Sequence, residues 1–249
     1  MSFFSRKPEL NVDEMEARCD VEGLIDAMKE WALTEQDKSI RVAAGNALVK
    51  IGQPAIAPLV QTMKAKDKSL ELRQCAEIVL GAIGEPAIPH LTQILRGENE
   101  DVGVRQLAVS ALGRMGKPAV EVLIETVSRQ HPMGDIGYVG WTAIAWLGNI
   151  GDERAVKPLV QALKDEHSVT RKYLIEALVK IGEAAVLPLS QVLKDEDKDI
   201  RKEVASALGL IGDVRSLEAL IEASSDRDRG VRNAANNAIK KIKSKKNLS

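Results

Sequence analysis

Apolar side chains recur along this chain at helical spacing, nested inside a longer period. Counted back from a recurrent glycine, offsets of twelve, eight, four and one residues carry apolar or small side chains. Leu72, Ala76, Leu80 and Ile83 ahead of Gly84 show the pattern, and such offsets share one stripe of a 3.6-residue helix. The glycines are Gly52, Gly84, Gly116, Gly151, Gly182 and Gly212, separated by 32, 32, 35, 31 and 30 residues. Each block therefore predicts an amphipathic helix that ends at its glycine. Asp37, Ser69, Asp101, Asp197 and Asp228 stand just ahead of these helices, where a side-chain oxygen can accept from free N–H groups. The glycine supplies the left-handed backbone that closes a helix.

A second, shorter helix is predicted after each glycine. Ala55-Ile56-x-Pro58-Leu59, Ala155-Val156-x-Pro158-Leu159 and Ala185-Val186-x-Pro188-Leu189 carry it. Pro54, Pro86 and Pro118 fit its first turn, where no helical donor is lost, and the internal proline marks its start or a kink. Two antiparallel helices per ~30 residues, repeated, make an all-α solenoid rather than one closed globule. About six hairpins occupy residues 36–243. Residues 1–35 supply a start and capping helices, with Val21, Leu24, Ile25 and Met28 turned to the first hairpin. The last helix keeps Ala235 and Ile239 inside, and residues 244–249 form a basic tail.

Composition narrows the function classes. Charged residues make up 29% and the net charge is −1, so no global field draws the chain to nucleic acid or membrane. Cys19 and Cys75 match no metal-ligand spacing, and no apolar run is long enough to span a bilayer. The expected setting is cytoplasmic, with no cofactor and no metal.

The repeated block x-x-V-R-x-x-A-x-x-A-L-G-x-I-G-D-x-x-A-V-x-P-L resembles the HEAT-like repeats named after phycobilisome lyase subunits. Ala145-Trp146-Leu147-Gly148-Asn149-Ile150-Gly151-Asp152, followed by Ala155-Val156-Lys157-Pro158-Leu159, carries it most fully, and the resemblance spans roughly residues 20–242. It implies a right-handed α-solenoid whose first helices line the concave side. One repeat type serves many roles, so it implies less about activity.

The repeat breaks in its fourth unit. The longest step runs through a Gly/Pro-punctuated loop over 129–137. Gly140 stands where the other units carry Arg41, Arg73, Arg105, Arg171, Arg201 and Arg232. Trp146 replaces a small residue at a core offset, while Tyr138 and Trp141 fall on the face turned from the core stripe. Tyr173 takes a matching offset one unit later. On the lining that the resemblance implies, Tyr138, Trp141 and Asn149 sit beside Lys172, Tyr173 and Lys180. Leu107 and Arg114 approach from the unit before. Exposed aromatic clusters are costly without a partner and typical of binding hot spots, so these seven residues, Lys180 aside, form the candidate partner site. The recurring arginines are expected to tie neighbouring units together through an Asp or a carbonyl.

Catalytic signals are weak. None of His90, His131 and His167 is followed by Glu, so the paired His-Glu motifs of helical-repeat deoxyhypusine hydroxylases are missing. His131 with Asp135 is the one acid–base pairing near the aromatics. The implied inner face carries nine basic side chains (Lys38, Lys50, Arg114, Lys172, Lys180, Lys198, Lys202, Arg229 and Lys241) against Glu71, Glu176, Asp199 and Glu203. The expected function is a non-catalytic scaffold that binds a protein or peptide, with lysines favouring an acidic one. A bilin lyase/isomerase-like or lyase-accessory role is the enzyme alternative. Polyanion binding is the third class, and sequence-specific DNA would need a denser basic track.

Overall fold

The computed structural model describes residues 11–29, 35–97, 100–128, 137–165 and 168–246, and their regular structure is entirely helical. They form two compact units, residues 1–115 and 116–249. The first contains α1 (Val12–Ala17), α2 (Val21–Met28), α3 (Glu35–Ile51), α4 (Gln53–Lys64), α5 (Leu70–Ile83), α6 (Ile88–Arg96) and α7 (Val102–Met115). The second contains α8 (Val120–Ser128), α9 (Gly137–Ile150), α10 (Val156–Asp165), α11 (Ser168–Ile181), α12 (Val186–Val192), α13 (Lys198–Ile211), α14 (Leu217–Ala223) and α15 (Arg229–Lys246). This is an all-α solenoid in which each long first helix alternates with a short second one.

The stripe reads as expected at its centre and less so at its edge. Leu48, Leu80, Leu112, Leu147, Leu178 and Leu208 are buried, as are Ala44, Ala76, Ala108, Ala143 and Ala235. The offset next to the glycine is only half-buried from Ile51 through Ile211. In α15 the core shifts by a residue: Ala238 and Ile242 are buried and Ile239 is half-buried. Leu24, Ile25 and Met28 of α2 are buried, while Val21 is half-buried.

Ends and caps follow the local chemistry with two corrections. Ser69, Asp101, Asp197 and Asp228 accept from backbone N–H groups two or three residues on. Asp37 does not start its helix, because α3 begins at Glu35. The basic tail expected from 244 is helical through Lys246, since α15 continues with good helix formers. Residues 1–10 and 247–249, the loop over 129–136 with His131 and Asp135, and His167 lie outside the described residues.

At Gly84 the backbone takes φ +81° and ψ −142°, a region closed to residues with a Cβ. Gly52, Gly116, Gly151, Gly182 and Gly212 share the positive φ. The turn feeds a 3₁₀ turn before most second helices, such as Glu85–Ala87 and Glu153–Ala155. Pro158 and Pro188 consequently fall at the third residue of α10 and α12, where the missing N–H costs no helical bond.

The arginine row binds loops. Arg73 Nε donates to Met63 O in the last turn of α4 at 2.8 Å, and Arg105 to Gly97 O at the C-cap of α6 at 2.6 Å. Arg171 pairs forward with Asp197 at 2.9 Å. Arg201, 4% exposed, grips Asp226 with two nitrogens at 2.8 and 2.9 Å and also donates to Asp195 O and Glu196 O. A second row was not anticipated. Arg154 binds Asp152 Oδ1 at 2.9 Å and reaches back to Lys117 O and Glu121. Arg215 binds Asp213 likewise and reaches Glu183. Gly151-Asp152-x-Arg154 and Gly212-Asp213-x-Arg215 are its sequence signal.

Close approach of first helices depends on one position, three residues before the terminal glycine. A Cβ on Gly148 would lie 2.7 Å from Ala177 Cα, and one on Gly209 would lie 2.8 Å from Ala238 Cα. A Cβ on Gly81 would meet Arg114 Cβ at 2.9 Å. The pairs α5–α7, α9–α11 and α13–α15 pack intimately for that reason. Val49 and Val179 occupy this position in two further units, and there α3–α5 and α11–α13 pack less extensively.

Candidate functional site

The helix α9 is unusual before any side chain is placed: Gly137 to Ile150 contains no charged residue. Its buried face carries Val139, Ala143, Ile144 and Leu147. The opposite face presents Tyr138, Trp141, Thr142, Ala145 and Asn149, at spacings of three and four that a helix brings into line. Gly148 lets α11 come close enough for rings on the two helices to touch.

The three rings expected to cluster do so. Trp141 and Tyr173 stack with centroids 5.3 Å apart and planes at 18°. Tyr138 meets Trp141 edge-on at 5.2 Å and 72°. Both geometries suit the ring quadrupoles. Trp141 is half-buried and its Nε1–H donates to Thr170 Oγ1 at 3.1 Å, with Thr170 almost fully buried. Trp141 is thus fixed from below, while Tyr138 stays 67% and Tyr173 39% exposed. Parallel rings in contact leave no slot between them, so the cluster is a platform.

The other predicted residues take different places. Asn149 is exposed and accepts from Lys180 Nζ at 3.1 Å, and Lys180 also pairs with Glu176 at 3.3 Å. Lys172 turns from the rings toward α13. Trp146 is half-buried beside the core stripe, and Gly140 is buried. Leu107 and Arg114 belong to α7 of the first unit. Leu107 is half-buried, and Arg114 Nε donates to Glu77 Oε1 at 2.8 Å. Burial pushes the Glu77 carboxyl up, and the hydrogen bond from Arg114 opposes that rise.

Three of the nine basic side chains are neutralised locally: Lys50 by Glu16 at 3.0 Å, Arg114 by Glu77, and Lys180 by Glu176. Glu16 and Glu77 stood outside the sequence-based charge balance, so fewer of these cations are uncompensated than expected. His90 is exposed on α6. Cys19 is exposed, and burial pushes the Cys75 thiol up, away from the thiolate form. Among the described residues no group of three His, Cys, Asp or Glu could hold a metal ion.

Reasoning from sequence missed a groove beside the platform. Between α11 and α13 lies an open trough of about 480 Å³ with Ile175, Val179, Ala207 and Leu210 on its floor. Its signal was the valine at 179, where Gly81, Gly113, Gly148 and Gly209 stand in other units. Among the described residues no single helix is long and apolar enough to cross a membrane.

Among solved structures, importin beta matches with a TM-score of 0.52 at 15% identity, over 93% of this chain and 37% of its own. Kap95p, in a structure where its binding switches the loops of RanGDP, matches with a TM-score of 0.51 at 13% identity, over 93% and 36%. This chain thus spans little more than a third of either. The CpcE–CpcF complex of phycocyanin lyase from Nostoc sp. PCC7120 aligns over 97% and 99% at 20% identity, with a TM-score of 0.39. These likenesses concern the fold. No curated protein sequence matches the chain. The HEAT repeats profile matches residues 25–103, 137–189 and 186–249, well over half of the sequence, and the chain belongs to the HEAT repeat family.

Proposed function

We propose that this protein is a non-catalytic scaffold that binds a protein or peptide partner on the outward face of α9 and α11. The observation that carries the reading is the aromatic platform that Tyr138 and Trp141 of the uncharged helix α9 form with Tyr173 of α11. Trp141 anchors the cluster to the buried Thr170, whereas the rings of Tyr138 and Tyr173 face solvent. Buried against a partner it would supply the aromatic contact area that dominates interfaces. The solenoid fold suits the role, as Kap95p holds RanGDP. Asn149 would shape specificity at the rim, and Lys172, on the flank of α11 toward α13, favours an acidic partner. The bilin-lyase reading rests on the repeat resemblance, with no feature of Cys19 or Cys75 to favour it.

Tyr138→Ala tests the proposal more cleanly than Trp141→Ala, because Trp141 also holds Thr170. Partners recovered by crosslinking from the source cell would be re-bound to the purified variant. The expected result is loss of binding by about ten-fold or more with unchanged helical content. Full binding by Tyr138→Ala and by Tyr173→Ala removes the platform from the function.

A further inference from the structure

The trough between α11 and α13 has a specific cause. Where Gly81, Gly148 and Gly209 stand three residues before the terminal glycine, the next first helix comes close enough that an added Cβ would clash. At Val179 the side chain blocks that approach, and the space left between α11 and α13 is not refilled. Its floor is apolar. Leu210 is 55% exposed there, and Ile175 and Val179 are half-buried. Lining residues run from 172 to 180 on α11 and from 202 to 210 on α13. Each is a stretch of about 12 Å at 1.5 Å per residue, or two helical turns.

The rims are charged in a biased way. Glu176 is engaged with Lys180. Lys172 and Lys202 face the trough from opposite helices, and among the described residues neither is ion-paired. Glu203, next to Lys202 on α13, lines the same end with its Oε2 buried and without a hydrogen-bond partner. Burial raises its carboxyl toward the neutral form. Lys172 and Lys202 each stand ten residues before the terminal glycine of their own helix, so the two cations lie across from one another at the same end of the trough.

We propose that this trough is a second docking site, which takes a short amphipathic helix of a protein partner bearing acidic residues. Two apolar side chains three or four residues apart would sit over Ile175, Val179, Ala207 and Leu210. Carboxylates at one end of that helix would meet Lys172 and Lys202 together. A helix two turns long matches the trough, and an i/i+3/i+4 set of anchors in an apolar groove is an established mode of recognition. The site rests on the reading that this face binds protein, but it uses none of the three aromatic rings.

The test uses the full-length protein and a fluorescent synthetic helix of Leu, Ala and Glu with leucines three and four apart. A second helix has Lys in place of Glu. Methyl NMR follows Ile175, Val179, Ala207 and Leu210 as each peptide is added, up to about 1 mM, where even weak binding registers. The acidic helix is expected to shift these methyls, and the lysine helix is expected to bind about ten-fold more weakly. Leu210→Glu and Ser206→Trp, both at exposed positions, should each weaken the acidic helix by about ten-fold or more. Tyr138→Ala should leave its affinity unchanged. No binding, equal binding of both helices, or shifts confined to the surroundings of Trp141 would overturn the trough site. The last outcome would leave the platform standing, whereas trough shifts with a partner indifferent to Tyr138→Ala would do the reverse.

Discussion

Replacing Gly148 by alanine should weaken the fold, although alanine is the better helix former by about 0.5–1 kcal/mol. The added Cβ would lie 2.7 Å from Ala177 Cα, 3.0 Å from Ala177 Cβ and 3.4 Å from Ala177 O. Two of those atoms are backbone, so no rotamer change relieves the clash. Ordinary contact needs α9 and α11 to part by about 1 Å at this point, and overpacking of that kind costs about 1–3 kcal/mol. The same parting loosens the Trp141–Tyr173 stack and stretches the bond from Trp141 Nε1 to Thr170, 3.1 Å long in the native chain. A buried hydrogen bond of this type contributes about 1 kcal/mol. Set against the propensity gain, the net loss is about 2 kcal/mol, or a fall in Tm of about 4–8 °C for a chain of this size. Differential scanning calorimetry reads the shift, and tryptophan emission reports whether the ring environment changes with it. An unchanged or higher Tm would show that the helices are not held at backbone contact, and the account of the Val179 trough would fall with it.

Two further perturbations separate backbone from electrostatic causes. Gly84→Ala meets nothing within 4 Å, so its cost of about 1–2 kcal/mol would come from the positive φ alone; a denaturation midpoint equal to the parent's would refute the strain. Arg201→Ala strands Asp226 and two loop carbonyls and should cost about 3–5 kcal/mol, with acid behaviour changed in a predictable sense. The hydrogen bond from Arg201 holds Asp226 below the usual carboxylate range, and that from Arg154 lowers Asp152 to about 2. The unfolded chain therefore binds protons before the folded one does. The stability from these pairs is complete above about pH 4, the ordinary aspartate value, and drains away as pH falls through the lower folded values toward about 2. Burial of Glu77 and Glu203 works oppositely, since protonating them in acid relieves a cost present at neutral pH. Circular dichroism during acid titration should show Arg201→Ala losing less stability than the parent between those limits, and parallel curves would count against the pair.

Much of this architecture was legible because a solenoid repeats its instructions. The glycine row, the leucine row and the proline after each turn each depend on local backbone geometry, and local geometry is what a sequence states most directly. The edges were less legible. Asp37 looks like the other caps, but Glu35 and Gln36 extend α3 past it. The offset beside the glycine lies at the margin of the stripe, where its exposure depends on the neighbouring hairpin. The aromatic site was readable from spacing alone, because Tyr138 and Trp141 share a helix face and Tyr173 repeats the offset. Its anchor was not: Thr170 lies twenty-nine residues from Trp141 and differs in no visible way from a solvent-facing threonine. Glu77 was missed for the same reason, since its value depends on Arg114 thirty-seven residues away.

The trough shows how a row can be informative where it varies. A glycine repeated at one offset permits backbone contact, and a valine at that offset forbids it. One methyl-bearing branch thereby sets the spacing of a helix pair, and spacing decides whether a surface is closed or offers room. In the second unit the two conditions fall side by side: Gly148 draws α9 and α11 together so that the rings can stack, and Val179 holds α11 and α13 apart so that a groove remains. Tyr173 on one side of α11 and Lys172 on the other then belong to two different surfaces. A partner that covers both would be read by aromatic area on one flank and by apolar depth with charge on the other. Exchanging the two residues, with valine at 148 and glycine at 179, should abolish both together. It would open the pair that carries the platform and close the pair that carries the groove.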